Sequence, residues 1–133
     1  MRGRYLHTHK AEYLENELSV YPVGLYPEYR IRRNGVTADF DFVLKTDAFW
    51  WAIEIETTIR HLVDNAKKAA AVNIPLWIVV PTRRMKNQAV CKLSPLNLTP
   101  GGEPIKLFLL SDVHKEVRNY LSLFIPANIP TDK

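Results

Sequence analysis

A chain of 133 residues, 47% hydrophobic and 24% charged, has the size and composition of one globular domain with its own core, here taken as residues 1–133. Its formal net charge of +4 permits contact with polyanions without demanding it. The single cysteine, Cys91, excludes an intrachain disulfide framework and suits a reducing compartment. As a lone thiol it reads as a small buried hydrophobe rather than a nucleophile. No apolar run approaches the roughly 18 residues that span a bilayer. The opening MRGRYLHTHK has no apolar stretch behind its arginines, so the expectation is a cytoplasmic protein with no membrane partner.

Ala11, Leu14 and Leu18 recur at helical spacing and predict a first helix over His9 to Val20. Glu28 to Arg32 alternates as a strand. Asn34-Gly35 follows, the strongest short hairpin signal, because both residues tolerate positive φ. A second strand runs from Val36 to about Leu44, Lys45-Thr46-Asp47-Ala48 reads as a turn, and a third strand covers Trp50 to Thr57. From Thr58 the period becomes helical, with Ile59, Leu62, Val63, Ala66 and Ala70 as the apolar stripe. Asn73-Ile74-Pro75 ends that helix. Leu76 to Val80 is a buried strand, parallel to the third because a crossover helix precedes it.

Arg83 to Leu98 is basic and then polar, with a short strand or helix around Ala89 to Leu93. Thr99 to Gly102 is a turn, and Ile105 to Leu110 is another strand. Ser111 reads as the N-cap of a last helix, whose core face is Val113, Val117, Tyr120, Leu121 and Phe124. The tail from Pro126 reads as a frayed end. The fold class is therefore α/β (α+β): an αβββαβ core over about residues 9–81 and a mixed central sheet flanked by helices. An additional C-terminal strand and helix lie over about residues 105–125.

The informative segment is Thr37 to Leu44 followed by Trp50 to Thr57. Strand side chains alternate in direction. Phe40, Phe42 and Leu44 then share one face, and Asp39 and Asp41 the other; Trp51, Ile53 and Ile55 oppose Glu54 and Glu56. A hairpin between these strands places Asp41 opposite Glu54, Asp39 opposite Glu56 and Leu44 opposite Trp51. A slip of one residue would destroy that match. Opposed like charges destabilise a strand pair, so the patch calls for cationic side chains, raised pKa values or a bound cation. Across the first hairpin, Arg30 stands opposite Asp39 and offsets one charge, whereas Glu28 stands opposite Asp41 and adds to the excess. Clustered carboxylate oxygens are the ligands that hard divalent ions take, and Mg²⁺ needs only one or two of them plus water and phosphate.

At this point the segment resembles the PD-(D/E)xK nuclease superfamily, with its restriction-endonuclease-like fold, over roughly residues 9 to 81. Asp41 matches the motif aspartate on the second strand. Glu54 matches the acid on the third, and Glu56 stands at the lysine position, making the variant E-x-E in place of E-x-K. The resemblance implies that Asp41 and Glu54 bind Mg²⁺, with Mn²⁺ as a substitute. It also implies a lysine drawn from the following helix: Lys67, at the edge of the apolar stripe, is preferred over Lys68. A glutamate of the first helix commonly joins the metal site in this family, which points to Glu15, with Glu12 as second choice.

The implied reaction is hydrolysis of DNA phosphodiester bonds, as endonuclease, junction resolvase or exonuclease. Asp41, Glu54, Glu56 and Lys67 are its expected catalytic set, with Glu56 completing the metal shell or accepting the proton of the attacking water. Arg30, Arg32, Arg33, Arg83, Arg84 and Lys86 are expected contacts to the phosphate backbone, although any one of them alone reads as a solubilising side chain. His7, His9, His61 and His114 lack zinc-ligand spacing. Trp51 and Trp77 read as core. Trp50 points to the carboxylate face, where it covers the sheet edge or stacks on a base. Two other readings stand beside the nuclease. One is a catalytically inactive nuclease-fold module that binds nucleic acid or a partner protein, favoured by Glu56 at the lysine position. The other is a small-molecule phosphoesterase. A domain of this size also leaves room for a homo-oligomer, which no residue argues for.

Overall fold

The computed structural model describes residues 24–46 and 50–112, together with Lys115 and Asn119. Strands β1 (Gly24–Arg33) and β2 (Val36–Lys45) form an antiparallel hairpin. Its tip is Asn34-Gly35, with φ of 53° and 75°, the paired left-handed conformations that a tight two-residue hairpin turn requires. Strand β3 (Trp50–Ile55) runs antiparallel to β2, with Phe42 opposite Ile53 and Leu44 opposite Trp51. This is the register expected from the hydrophobic pattern. Helix α1 (Leu62–Ala71) crosses over to β4 (Leu76–Val80), which is parallel to β3. Helix α2 (Arg83–Leu93) leads to β5 (Lys106–Leu109), parallel to β4. The described residues thus form a mixed α+β fold, a five-stranded sheet in the order β1-β2-β3-β4-β5 with two helices.

Helix α1 starts later than its apolar periodicity suggests, because Thr57 to His61 form bends and a turn. Its buried residues are Leu62, Asn65, Ala66 and Ala69. It ends where expected, at Asn73, whose φ is 53°. The Asn73 amide donates to the Ala70 carbonyl and the Ile74 amide to that of Ala69, each at 3.1 Å. This is the double hydrogen bond that closes a helix over a left-handed residue.

Helix α2 occupies the stretch where only a short element was expected. Its buried stripe is three residues, Met85, Ala89 and Leu93, too sparse to stand out among polar neighbours. Arg83 and Arg84 in its first turn also oppose the helix dipole. Its start is marked instead by Thr82, whose Oγ1 accepts from the Met85 amide at 3.2 Å. Cys91 lies on the exposed side of α2, so it is not the buried hydrophobe expected.

Both faces of the sheet are buried. On the helix side, Ala52, Val43, Leu76 and Ile78 pack with Leu62, Ala66, Ala69, Met85 and Ala89. On the opposite face, Trp51 and Trp77 lie 5.0 Å apart, and Trp77 meets Phe108 at 5.5 Å. Phe40 does not follow Phe42 and Leu44 as expected but joins the helix-side cluster. The strand pair is irregular there: Glu28 has a φ of 49° and breaks the run of partners between Pro27–Phe42 and Tyr29–Phe40. A left-handed residue in a strand twists it and interrupts the alternation of side chains.

The expected first helix, with Glu12 and Glu15, lies outside the described residues, as do Asp47, Ala48 and the core positions of the last helix. Lys115 and Asn119 are helical. Among the described residues, no helix is long and apolar enough to cross a membrane.

Candidate functional site

The site lies where β2 leaves β3. The ladder between them stops at Phe42 and Ile53. The next amide of β3 on that side, Ile55, finds its acceptor in a side chain, donating to Asp41 Oδ2 at 2.9 Å. The Asp41 carboxylate is thereby wedged between the strands, next to Glu54. A cleft of about 560 Å³ opens there, lined by Glu28, Arg30, Asp39, Phe40, Asp41, Glu54 and Lys68.

Glu54 and Glu56 are 4% and 9% exposed, an expensive setting for ionised carboxylates. Burial, then the charge of Asp41, push Glu54 up to about 8, against the lowering effect of Lys68; a hydrogen bond with Asp41 also favours its protonated form. Burial and Asp41 likewise raise Glu56 to about 7, opposed by a hydrogen bond from Asn65 and by the charge of Lys68. The pocket is thus short of positive charge, and at neutral pH Glu54 meets the shortfall by keeping a proton.

Helix α1 supplies the groups that hold these carboxylates. Lys68 Nζ lies 3.0 Å from Glu54 Oε2, donates also to the Asp39 carbonyl, and sits 4.7 Å over the Phe40 ring. Asn65 Nδ2 donates to Glu56 Oε2. Asn65 and Lys68 are one helical turn apart and therefore share a face. Lys67, the lysine expected at the site, is exposed. The cause is a rotation of the helix. Its buried stripe is centred on Leu62, Asn65, Ala66 and Ala69 rather than on Ile59, Val63 and Ala70. At about 100° per residue, that shift carries Lys68 toward the sheet and Lys67 into solvent. Asn65 was missed altogether, although a polar residue in register with Leu62 and Ala69 was a signal in the sequence.

Other expected residues are placed elsewhere. Asp39 lines the cleft, but its carboxylate pairs with Arg30 at 2.7 Å on the exposed side, and the Arg30 hydrogen bond holds it below the usual carboxylate range. It does not stand against Glu56. Arg33 Nη1 donates to the carbonyls of Val72 and Asn73, both at 3.2 Å. It therefore caps the end of α1 and does not line the cleft. Arg32 is exposed on β1, and Arg83, Arg84 and Lys86 lie on the first turn of α2, none of them lining the cleft.

The donors gathered here, carboxylate oxygens with one ammonium beside them, are of the hard-oxygen kind that suits Mg²⁺ or Mn²⁺. A cation entering between Asp41 and Glu54 would displace the proton that Glu54 holds. Among the described residues, no three His, Cys, Asp or Glu side chains converge in metal-binding geometry. A cation at this pair would take its remaining ligands from water and a phosphate, as Mg²⁺ commonly does.

No protein-family model and no curated protein matches the chain. The crystal structure of a protein of unknown function, AF1548, has a similar fold, with a TM-score of 0.53 at 16% identity over 86% of this chain and 67% of that one. The likeness is one of fold.

Proposed function

We propose that this chain is a metal-dependent nuclease of the PD-(D/E)xK type, with a restriction-endonuclease-like core, that hydrolyses DNA phosphodiester bonds. The observation that carries the reading is buried Glu54 beside half-buried Asp41, with Lys68 at 3.0 Å from Glu54, on the strands and helix where that family keeps its acids and a migrated lysine. The succession β1-β2-β3-α1-β4 supports it. Asp41 and Glu54 would hold the Mg²⁺. When bound, the cation polarises the scissile phosphate and makes a bound water more acidic. Lys68 places its ammonium beside the phosphoryl oxygens, where negative charge grows in the transition state. Glu56, with a pKa of about 7, is suited to take the proton of the attacking water, and Asn65 fixes the orientation of its carboxylate.

The test is incubation of the protein with labelled single-stranded, duplex and branched DNA, in Mg²⁺, in Mn²⁺ and in EDTA. The expected result is cleavage that needs the metal and is lost in Asp41→Ala. No metal-dependent cleavage, together with unchanged DNA binding by Asp41→Ala, would sink the enzyme reading. Glu56 standing at the usual lysine position favours a second reading, a nuclease-fold module that binds nucleic acid or a partner protein without cutting. Tight DNA binding indifferent to metal and without cleavage is its signature in the same assay.

A further inference from the structure

Phe40 is the apolar member of a cleft wall otherwise made by charged side chains. It is 2% exposed, and the Lys68 ammonium lies 4.7 Å over the centre of its ring. The same ammonium stands 3.0 Å from Glu54 Oε2 and donates to the Asp39 carbonyl. A carboxylate, a backbone carbonyl and a ring face thus hold Lys68 together.

We infer that Phe40 is a positioning residue for Lys68, its ring face steering the ammonium into the carboxylate cleft. The catalytic consequence rests on the nuclease reading of that cleft, whereas the hold on Lys68 is a property of the free protein. Three observations carry the inference. The first is the contact. The face of an aromatic ring is its negative side and attracts a cation, more strongly where water is scarce. The Lys68 side chain is half-buried. A leucine would fill much of the same space and offer no such attraction.

The second is the way the ring comes to be there. Strand alternation assigns Phe40 to the face of Phe42 and Leu44, opposite α1, yet it joins the helix-side cluster. The change of face accompanies Glu28, whose φ of 49° interrupts the pairing between Pro27–Phe42 and Tyr29–Phe40. A left-handed glutamate is a strained residue, and such strain collects at functional sites. Regular alternation would leave Lys68 facing no ring at this position. The third is independence from the acids. Under the nuclease reading Glu54 is also the ligand of a cation, so its hold on Lys68 is shared. The ring and the carbonyl carry no net charge and keep Lys68 in the cleft whichever partner Glu54 takes.

The test replaces Phe40, in the full chain, by phenylalanines bearing one, two and three ring fluorines. These keep the shape of the side chain and weaken its negative face step by step. Reductive methylation with formaldehyde, read at each lysine by mass spectrometry, reports how firmly each ammonium is held, with exposed Lys67 as the internal standard. The expected result is slower reaction at Lys68 than at Lys67, rising about threefold across the series at an unchanged melting temperature. Phe40→Leu should give at least the same rise. In Mg²⁺, kcat for DNA cleavage should fall in parallel while KM holds. A relative rate at Lys68 that stays flat across the fluorine series overturns the inference and leaves Phe40 a core residue, whatever Phe40→Leu does to the melting temperature. A trend in methylation with no cleavage of any DNA in any metal removes the nuclease and keeps the hold on Lys68. Metal-dependent cleavage with flat methylation and unaltered kcat keeps the nuclease and removes the hold.

Discussion

Lys67 and Lys68 are adjacent, equally charged and separated in role only by the rotation of α1. Under the nuclease reading, Lys68→Ala should lower the cleavage rate by about two orders of magnitude, the usual cost of removing one transition-state donor. Lys67→Ala should leave the rate within about twofold. Equal effects of the two variants would show that the lysines act only through general charge.

Glu54 makes a second prediction, from its raised pKa. Below about pH 4.5, the ordinary value, the folded and unfolded chains both hold the proton; between there and about pH 8 only the folded chain does. The unfolded state is therefore favoured increasingly over that window, and stability present at low pH is lost as pH rises through about 8. Without divalent metal, the melting temperature should fall between pH 5 and pH 8.5, and Glu54→Gln should flatten the fall. Under the metal-site reading, Mg²⁺ binding would release the same proton, so the rise in melting temperature on adding Mg²⁺ should be larger at pH 8.5 than at pH 6.

At the scale of elements, the hairpin and the central register were legible. Asn34-Gly35 has one favoured conformation between strands, and a single register buries Phe42, Leu44, Trp51 and Ile53 together while setting Asp41 beside Glu54. What could not be read was the phase of α1. Ile59 matches the helical period yet lies in the turn before the helix, and including it rotates the inferred stripe toward Lys67. The hidden helix α2 and the change of face at Phe40 have similar origins. In each, a local irregularity such as Glu28 or a sparse stripe such as Met85, Ala89 and Leu93 overrides the period. Arg33 belongs to this scale as well, because it ties the tip of β1 to the end of α1. Arg33→Ala should cost about 1 kcal/mol of stability and, under the nucleic-acid reading, leave the salt dependence of DNA binding unchanged. A loss of one unit in that slope, with unchanged stability, would return Arg33 to the list of phosphate contacts.

For the molecule as a whole, the carboxylate site is a stability cost that the rest of the fold offsets. A sheet buried on both faces, with Trp51, Trp77 and Phe108 on one side and the helix-side cluster on the other, can tolerate a strained acidic centre. Functional sites commonly oppose stability in this way. Asp41→Asn keeps an oxygen for the Ile55 amide and removes one negative charge beside Glu54 and Glu56. At pH 8 without metal, its unfolding free energy should match or exceed that of the natural chain, by up to about 1 kcal/mol. A marked loss would mean that the aspartate serves the fold.

The hydrogen bond from the Ile55 amide to Asp41 Oδ2 also makes a single backbone nitrogen a natural gauge of the site. Amide resonances respond to the charge of their acceptor. Under the metal-site reading, the Ile55 peak in a nitrogen–proton correlation spectrum should move as Mg²⁺ is added, while amides of β5 such as Leu107 hold still. A peak that stays still throughout the Mg²⁺ titration would remove the metal from the centre, with no substrate present and no bond cleaved.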